Sequence, residues 1–219
     1  MLRTPLARRL KRRNHREVAF AQDVLVDEAY DAYPACTLHG GTAIWRCYGG
    51  TRFSEDLDAY IPGGTHEADS RFRRGVAAKG GRELEFKRTG STVLAKFEIG
   101  GGVVSFEGAL RDPPGSEVRG YETLEGGSAM VSVLPPGELL AEKASAYADR
   151  RKVRDLYDVL FLTEVVQAGR KTRAAVRSLL EGYAPPVDGA ELKALVLAGA
   201  APAPGEMVEA LERWARRST

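Results

Sequence analysis

The chain has 219 residues, with 32 Lys and Arg set against 30 Asp and Glu for a formal charge of +2. That balance excludes a polycation of the histone type, and 43% hydrophobic with 28% charged residues is the make-up of an ordinary globular protein. Cys36 and Cys47 form no C-x-x-C pair, and His15, His39 and His66 are scattered. This argues against a disulfide scaffold or zinc ribbon and fits a reducing compartment.

At about 150 residues per domain the length predicts one to two domains, enough to bury a core without staples. Residues 1–16 carry seven cations (Arg3, Arg8, Arg9, Lys11, Arg12, Arg13, Arg16) and no acid. They lack the apolar stretch of a signal peptide and the serines of a transit peptide. No apolar run approaches the ~18 residues of a membrane span. A cytoplasmic protein away from membranes is expected, its basic segment free to touch nucleic acid or a partner.

Helical spacing runs from Arg16 to Ala32, and Pro34 stops it. Residues 35–38 read as a strand, His39-Gly40-Gly41-Thr42 as a tight turn, and 43–48 as a short helix closed by Gly49-Gly50. A strand at 57–61 ends at Pro62-Gly63-Gly64, and 66–79 is helical. Strands follow at 82–88, 92–99 and 102–110, with alternation clear in Val93, Ala95, Phe97 and Ile99. Residues 111–127 read as loop with one extended piece around Tyr121, and 130–134 as a further strand. After Pro135-Pro136 the pattern turns helical, with four or five helices broken by Gly169, Pro185-Pro186 and Pro202–Gly205. The last, Glu206 to Arg217, carries Met207, Leu211 and Trp214 on one packing stripe. An α/β domain at 1–135 and a helical domain at 136–219 are expected.

The chemistry concentrates in His39-Gly-Gly-Thr42 and Arg52-Phe-Ser-Glu-Asp-Leu-Asp58. On a strand Asp56 and Asp58 face the same way. Two neighbouring carboxylates stay ionised at a cost unless a cation joins them. Mg²⁺ suits one or two carboxylates plus substrate phosphates, and a metal so held can clamp a nucleotidyl transfer. Gly40, Gly41 and Thr42 before a helix offer backbone N–H groups to a phosphate, with Arg52 and Ser54 as further phosphate ligands. Taken singly, the glycines are an ordinary turn and the aspartates a solvated strand edge. Strand, glycine turn, helix and paired aspartates in that order are a specific signal.

These residues resemble the AbiEii/AbiGii toxin family of nucleotidyltransferases, the toxins of type IV toxin–antitoxin and abortive-infection systems. That family includes the mycobacterial MenT toxins and falls in the DNA polymerase β-like superfamily. The superfamily motif is Gly-Ser, a gap, then Asp-x-Asp; here Gly41-Thr42 replaces Gly-Ser and thirteen residues separate Thr42 from Asp56. A second block, Leu139-Leu-Ala-Glu-Lys143, Arg150 and Arg154-Asp-Leu-Tyr-Asp158, resembles the family's later motifs.

The resemblance implies an α+β fold: a polymerase β-like nucleotidyltransferase domain with a mixed sheet, then a helical domain. It implies Mg²⁺ (or Mn²⁺) on Asp56 and Asp58, Lys143 on the triphosphate and Asp158 as a further essential acid. Lys143 and Arg150, seven residues apart, share a helix face; a solvated helix face is their ordinary reading. Asp155 and Asp158 stand in i,i+4 pairs with Arg151 and Arg154, and Asp155 is assigned to structure. Glu107 is the candidate third carboxylate, a departure from the superfamily's usual Asp. His39, where the family often has Lys, could touch a phosphate but suits a hydrogen bond near a turn. Trp45 and Tyr48 are expected in core packing more than against a base.

The function implied is transfer of a nucleoside monophosphate from an NTP to an acceptor. The acceptor implied is the tRNA 3′ end or another RNA, with a cognate antitoxin encoded nearby. Alternatives are a catalytically silent NTP- or RNA-binding module, a protein-AMPylating enzyme, or a small-molecule enzyme of the antibiotic-modifying kind. The Arg-Asp-x-x-Asp block favours the toxin family over the last.

Overall fold

A computed structural model describes residues 4–216; Arg3 of the basic segment and Arg217 of the last helix lie outside that range. The chain divides into two compact units. The first holds the residues up to Cys47 together with Phe53–Leu134; the second holds Tyr48–Arg52 and the chain from Pro135 onward.

In chain order the elements are α1 (Leu6–Arg9), α2 (Arg13–Ala32), β1 (Thr37–His39), α3 (Gly40–Tyr48), β2 (Leu57–Tyr60), α4 (His66–Ala78), β3 (Arg82–Arg88), β4 (Thr92–Ile99), β5 (Gly102–Ala109), β6 (Glu117–Glu122) and β7 (Ser128–Val133). Then follow α5 (Pro136–Arg150), α6 (Val153–Val165), α7 (Arg170–Glu181), a 3₁₀ turn at Gly189–Glu191, α8 (Leu192–Leu195) and α9 (Pro204–Arg216).

The seven strands form one mixed sheet in the order β3-β4-β5-β2-β1-β7-β6. β2 runs parallel to β5, and β1 parallel to β7; the other neighbours are antiparallel. Alternation decides which face is buried. Val93, Ala95, Phe97 and Ile99 of β4 and Val104 and Phe106 of β5 are buried, while Lys96 and Glu107, at alternate positions, are exposed.

α2 and α4 pack against this sheet. Phe72 of α4 stands 4.9 Å from Phe106, 5.6 Å from Phe97 and 5.8 Å from Tyr33. The Tyr33 hydroxyl donates to Asp69 at 2.9 Å, and Arg88 donates to the same carboxylate at 2.6 Å, so the buried acid is paired. Thr65 caps α4 by accepting from the Ala68 N–H at 3.1 Å, and Glu67 and Asp69 occupy its first turn, where the helix dipole favours acids.

Pro136 opens α5 at a position where its missing N–H costs nothing. Arg151, at φ 49°, turns the chain between α5 and α6. Asp188 accepts from the Val153 N–H at 2.7 Å, satisfying the start of α6 from 35 residues away. α9 packs on α6 and α7 through Met207 and Leu211, with Trp214 half-buried beside Arg173. The short segment Tyr48–Arg52 is stitched in by backbone pairing: the Thr51 carbonyl accepts from the Leu197 N–H at 2.7 Å, and Arg52 bridges to Val196.

Four local expectations need correction. α2 starts at Arg13, three residues early, and residues 117–122 form a full strand against β7. His39 closes β1 and Gly40 already opens α3, so there is no separate turn at 39–42. The basic segment is not free: Leu6 and Leu10 are fully buried, the Ala7 N–H donates to the Leu124 carbonyl at 2.8 Å, and Arg9 pairs with Glu122. Its apolar positions are spaced to sink one side of the segment, leaving Arg8, Lys11, Arg12 and Arg16 on the exposed side.

Gly102 lies so close to α2 that a Cβ there would overlap the Glu17 carbonyl, whereas a Cβ at Gly90 meets open space. Gly102→Ala is therefore expected to lose about 1–3 kcal/mol, the usual cost of overpacking. Gly90→Ala stays within about 0.5 kcal/mol of wild type. Urea titrations of the two variants give the comparison.

Candidate active site

In the first unit, Asp58 sits in the middle of β2, in register with His39 of β1 on one side and Glu107 of β5 on the other. Parallel partners in register point to the same face, so Asp58 and Glu107 are neighbours. Asp58 is half-buried and Glu107 exposed. Asp56 precedes β2 by one residue and is exposed. Among the described residues, no three His, Cys, Asp or Glu side chains converge as a group able to hold a metal ion. Glu107 is thus adjacent to Asp58 without completing a three-carboxylate set. Asp56 and Asp58 remain an oxygen-only pair of the kind Mg²⁺ accepts when substrate phosphates complete its shell.

The glycines have a sharper reason than expected. Gly40 is at φ +71°, and a Cβ there would overlap the Asp58 carboxylate. The start of α3 and the side chain of Asp58 occupy adjoining space, which only glycine permits. Thr42 differs from its expected part as a phosphate ligand. It is fully buried, donating to the Asp56 carbonyl at 2.5 Å, with the Gln22 amide 3.2 Å from its hydroxyl. Ser54 is nearly buried, and its carbonyl accepts from Gln22 at 2.9 Å. His39 stacks on Tyr60 at 4.4 Å, and Trp45 is buried against Phe53 at 4.9 Å in the core.

In the second unit, the residues of the later motif form one ionic cluster. Arg52 grips Asp158 with two hydrogen bonds of 2.8 and 2.7 Å. Lys143 of α5 is 3.0 Å from Asp158 and 3.4 Å from Asp155. Arg150, two turns further along α5, makes two bonds of 2.7 and 2.9 Å to Asp155. Three cations thus meet two carboxylates, and the set carries one surplus positive charge. Burial pushes the Asp158 carboxyl up, but Arg52 and Lys143 outweigh it and hold it below the usual carboxylate range.

This replaces the expected i,i+4 pairs. Asp155 turns to Lys143 and Arg150 rather than Arg151, and Asp158 to Arg52 and Lys143 rather than Arg154. Both acids face into the unit, where pairing is worth more than on the outer helix face. Arg52 is likewise not a loose phosphate ligand: it is buried and gripped by Asp158. The residues missed from sequence are Gln22, Asp23 and Arg46. Arg46 is buried, pairs with Asp23 and donates to the Glu122 carbonyl at 2.6 Å. Burial pushes the Asp23 carboxyl up against the pull of Arg46, the Leu124 N–H and the Tyr121 hydroxyl. A polar pair inside an otherwise apolar helix pattern (Gln22-Asp23) was the available signal.

A mixed sheet bearing paired aspartates after a glycine-started helix, with a helical unit after it, is the class of a nucleotidyltransferase. The chain belongs to the nucleotidyl transferase AbiEii toxin family of type IV toxin–antitoxin systems, whose model matches residues 23–216. Its fold is similar to that of JHP933 from Helicobacter pylori, at 21% identity and TM-score 0.62 over 90% of each chain. It is also similar to MenT4, a nucleotidyltransferase toxin from Mycobacterium tuberculosis H37Rv. That match has 19% identity and TM-score 0.58 over 96% of this chain and 87% of the other. No curated protein matches the chain significantly. No helix among the described residues is long and apolar enough to cross a membrane.

Asp158→Asn keeps the shape but strands Arg52 and Lys143, and is expected to cost about 3–5 kcal/mol at pH 7. Because the folded carboxyl titrates below its unfolded value, its contribution is complete above the ordinary carboxylate range. It is lost as pH falls through the lowered value. The gap between variant and wild type should therefore shrink in urea melts as pH is lowered from 7 towards 2.

Proposed function

We propose that this nucleotidyltransferase toxin uses Mg²⁺ to move a nucleoside monophosphate from an NTP to the 3′ end of tRNA. The observation that carries the reading is Asp58, set against Gly40 in the middle of the sheet, with Asp56 exposed two residues before it. An acceptor hydroxyl attacks the α-phosphorus, the bond to the bridging oxygen breaks, and pyrophosphate leaves. The hydroxyl proton passes to a carboxylate of the Asp56–Asp58 pair. Mg²⁺, or Mn²⁺ in its place, would sit on these two carboxylates and supply charge neutralisation at the phosphates.

Lys143 is the triphosphate ligand in this reading. Asp155 and Asp158 act through it, fixing its ammonium, and Arg150 adds positive charge at the exposed end of the same cluster. The backbone N–H groups of Gly40 and Gly41 remain the phosphate donors of the first unit. With no strong base beside the aspartates, rate comes from positioning and charge stabilisation. The protein acts in the cytoplasm, and a neighbouring gene's product counters its toxicity.

The test incubates the protein with each α-³²P-labelled NTP, Mg²⁺ and total tRNA. Label is expected in tRNA with wild type. Asp56→Ala should lower it about 10²–10³-fold, the range for losing one preorganised electrostatic group. Label on protein alone would move the acceptor to a side-chain hydroxyl. NTP binding without transfer to any acceptor would leave a binding module.

A further inference from the structure

Asp56 lies outside the strand ladder that fixes Asp58: β2 begins at Leu57. Something else must hold its backbone, and the interior of the first unit supplies it. Gln22 of α2 is fully buried. Its Nε2 donates to the Ser54 carbonyl at 2.9 Å and to the Thr42 hydroxyl at 3.2 Å. The Thr42 hydroxyl donates its one proton to the Asp56 carbonyl at 2.5 Å. The Gln22 Oε1 accepts from Arg46 at 3.4 Å, and Arg46 is itself anchored by Asp23 and the Glu122 carbonyl.

Donor and acceptor chemistry fixes every direction in this chain. A guanidinium only donates, so the Gln22 oxygen faces it; a carbonyl only accepts, so the Gln22 nitrogen faces Ser54. The hydroxyl between Gln22 and Asp56 then has a single arrangement. A reversed amide would set donor against donor at Arg46 and acceptor against acceptor at Ser54. The loop from Ser54 to Asp56 is thereby tied to α2 and α3 at two successive points.

Apolar side chains at Gln22 and Thr42 would leave the Ser54 and Asp56 carbonyls without these donors, and buried polar groups are costly unless fully paired. The pairing is complete, and it terminates on the backbone of Asp56. We infer that Gln22 and Thr42 are positioning residues for Asp56: through the Ser54 and Asp56 carbonyls they set where its carboxylate meets a divalent cation. This rests on the reading that Asp56 and Asp58 hold that cation.

The experiment measures Mn²⁺ binding by electron paramagnetic resonance, with a non-hydrolysable NTP analogue present, alongside thermal melts. Thr42→Val keeps the volume and removes the hydroxyl; Thr42→Ser keeps the hydroxyl. Thr42→Val should weaken Mn²⁺ about 10- to 100-fold, the usual effect of losing an outer-sphere partner of a metal ligand. Thr42→Ser should stay within about threefold of wild type, below that range. Gln22→Met, which removes all three hydrogen bonds of the side-chain amide, should weaken Mn²⁺ as Thr42→Val does, and it decides in the same terms should Thr42→Val not fold. Equal Mn²⁺ affinity in wild type and a folded Thr42→Val or Gln22→Met overturns the inference while leaving the metal pair intact. Absence of Mn²⁺ binding by wild type overturns the metal reading and the positioning role with it.

Discussion

The Asp58 carboxylate occupies the place where a Cβ would stand on the first residue of α3. The first unit is organised around this constraint. β1 must end beside β2 for His39 to pair with Asp58, and α3 must leave β1 at once. Gly40, at φ +71°, makes that departure while leaving room for Asp58. The motif's glycine and its aspartate are eighteen residues apart in sequence and in contact in space. The spacing between them is the length of one short helix and one return loop.

The second unit solves a different problem, that of placing a lysine among buried acids. Lys143 is nearly buried, and its ammonium lies 3.0 Å from Asp158 and 3.4 Å from Asp155. Two guanidiniums close the cluster from the other side of those carboxylates. Arginine suits the outer places because its planar fork grips both oxygens of an acid, as Arg52 does with Asp158 and Arg150 with Asp155.

Much of this was legible in the sequence. Alternation in Val93–Ile99 and Val103–Ala109 gave strands to within a residue, because one face of the sheet is buried and the other is open. The proline pair at 135–136 marked the change from sheet to helices, because ring closure and a lost N–H interrupt regular structure. Partnerships were less legible. Helix spacing offers Arg151 and Arg154 to Asp155 and Asp158, but spacing counts only neighbours on one helix. Arg52 comes from a segment 106 residues away and wins by burial. Gln22 was hard to read for a related reason: the Gln22-Asp23 pair marks a polar break in the helix, but a polar residue in a helix reads as surface, and only the packed interior shows what its amide holds.

The five residues Tyr48–Arg52 belong to the second unit while the chain on either side of them belongs to the first. The backbone therefore crosses from one unit to the other three times, and no single cut yields both units whole. A fragment ending at Leu134 would carry Arg52 without its acid, and a fragment starting at Pro135 would carry Asp158 without its arginine. During synthesis the ribosome makes Arg52 long before Asp158, so its charge stays in water until most of the chain has emerged. A translation product that stops before Asp158 therefore leaves Arg52 without the acid that grips it.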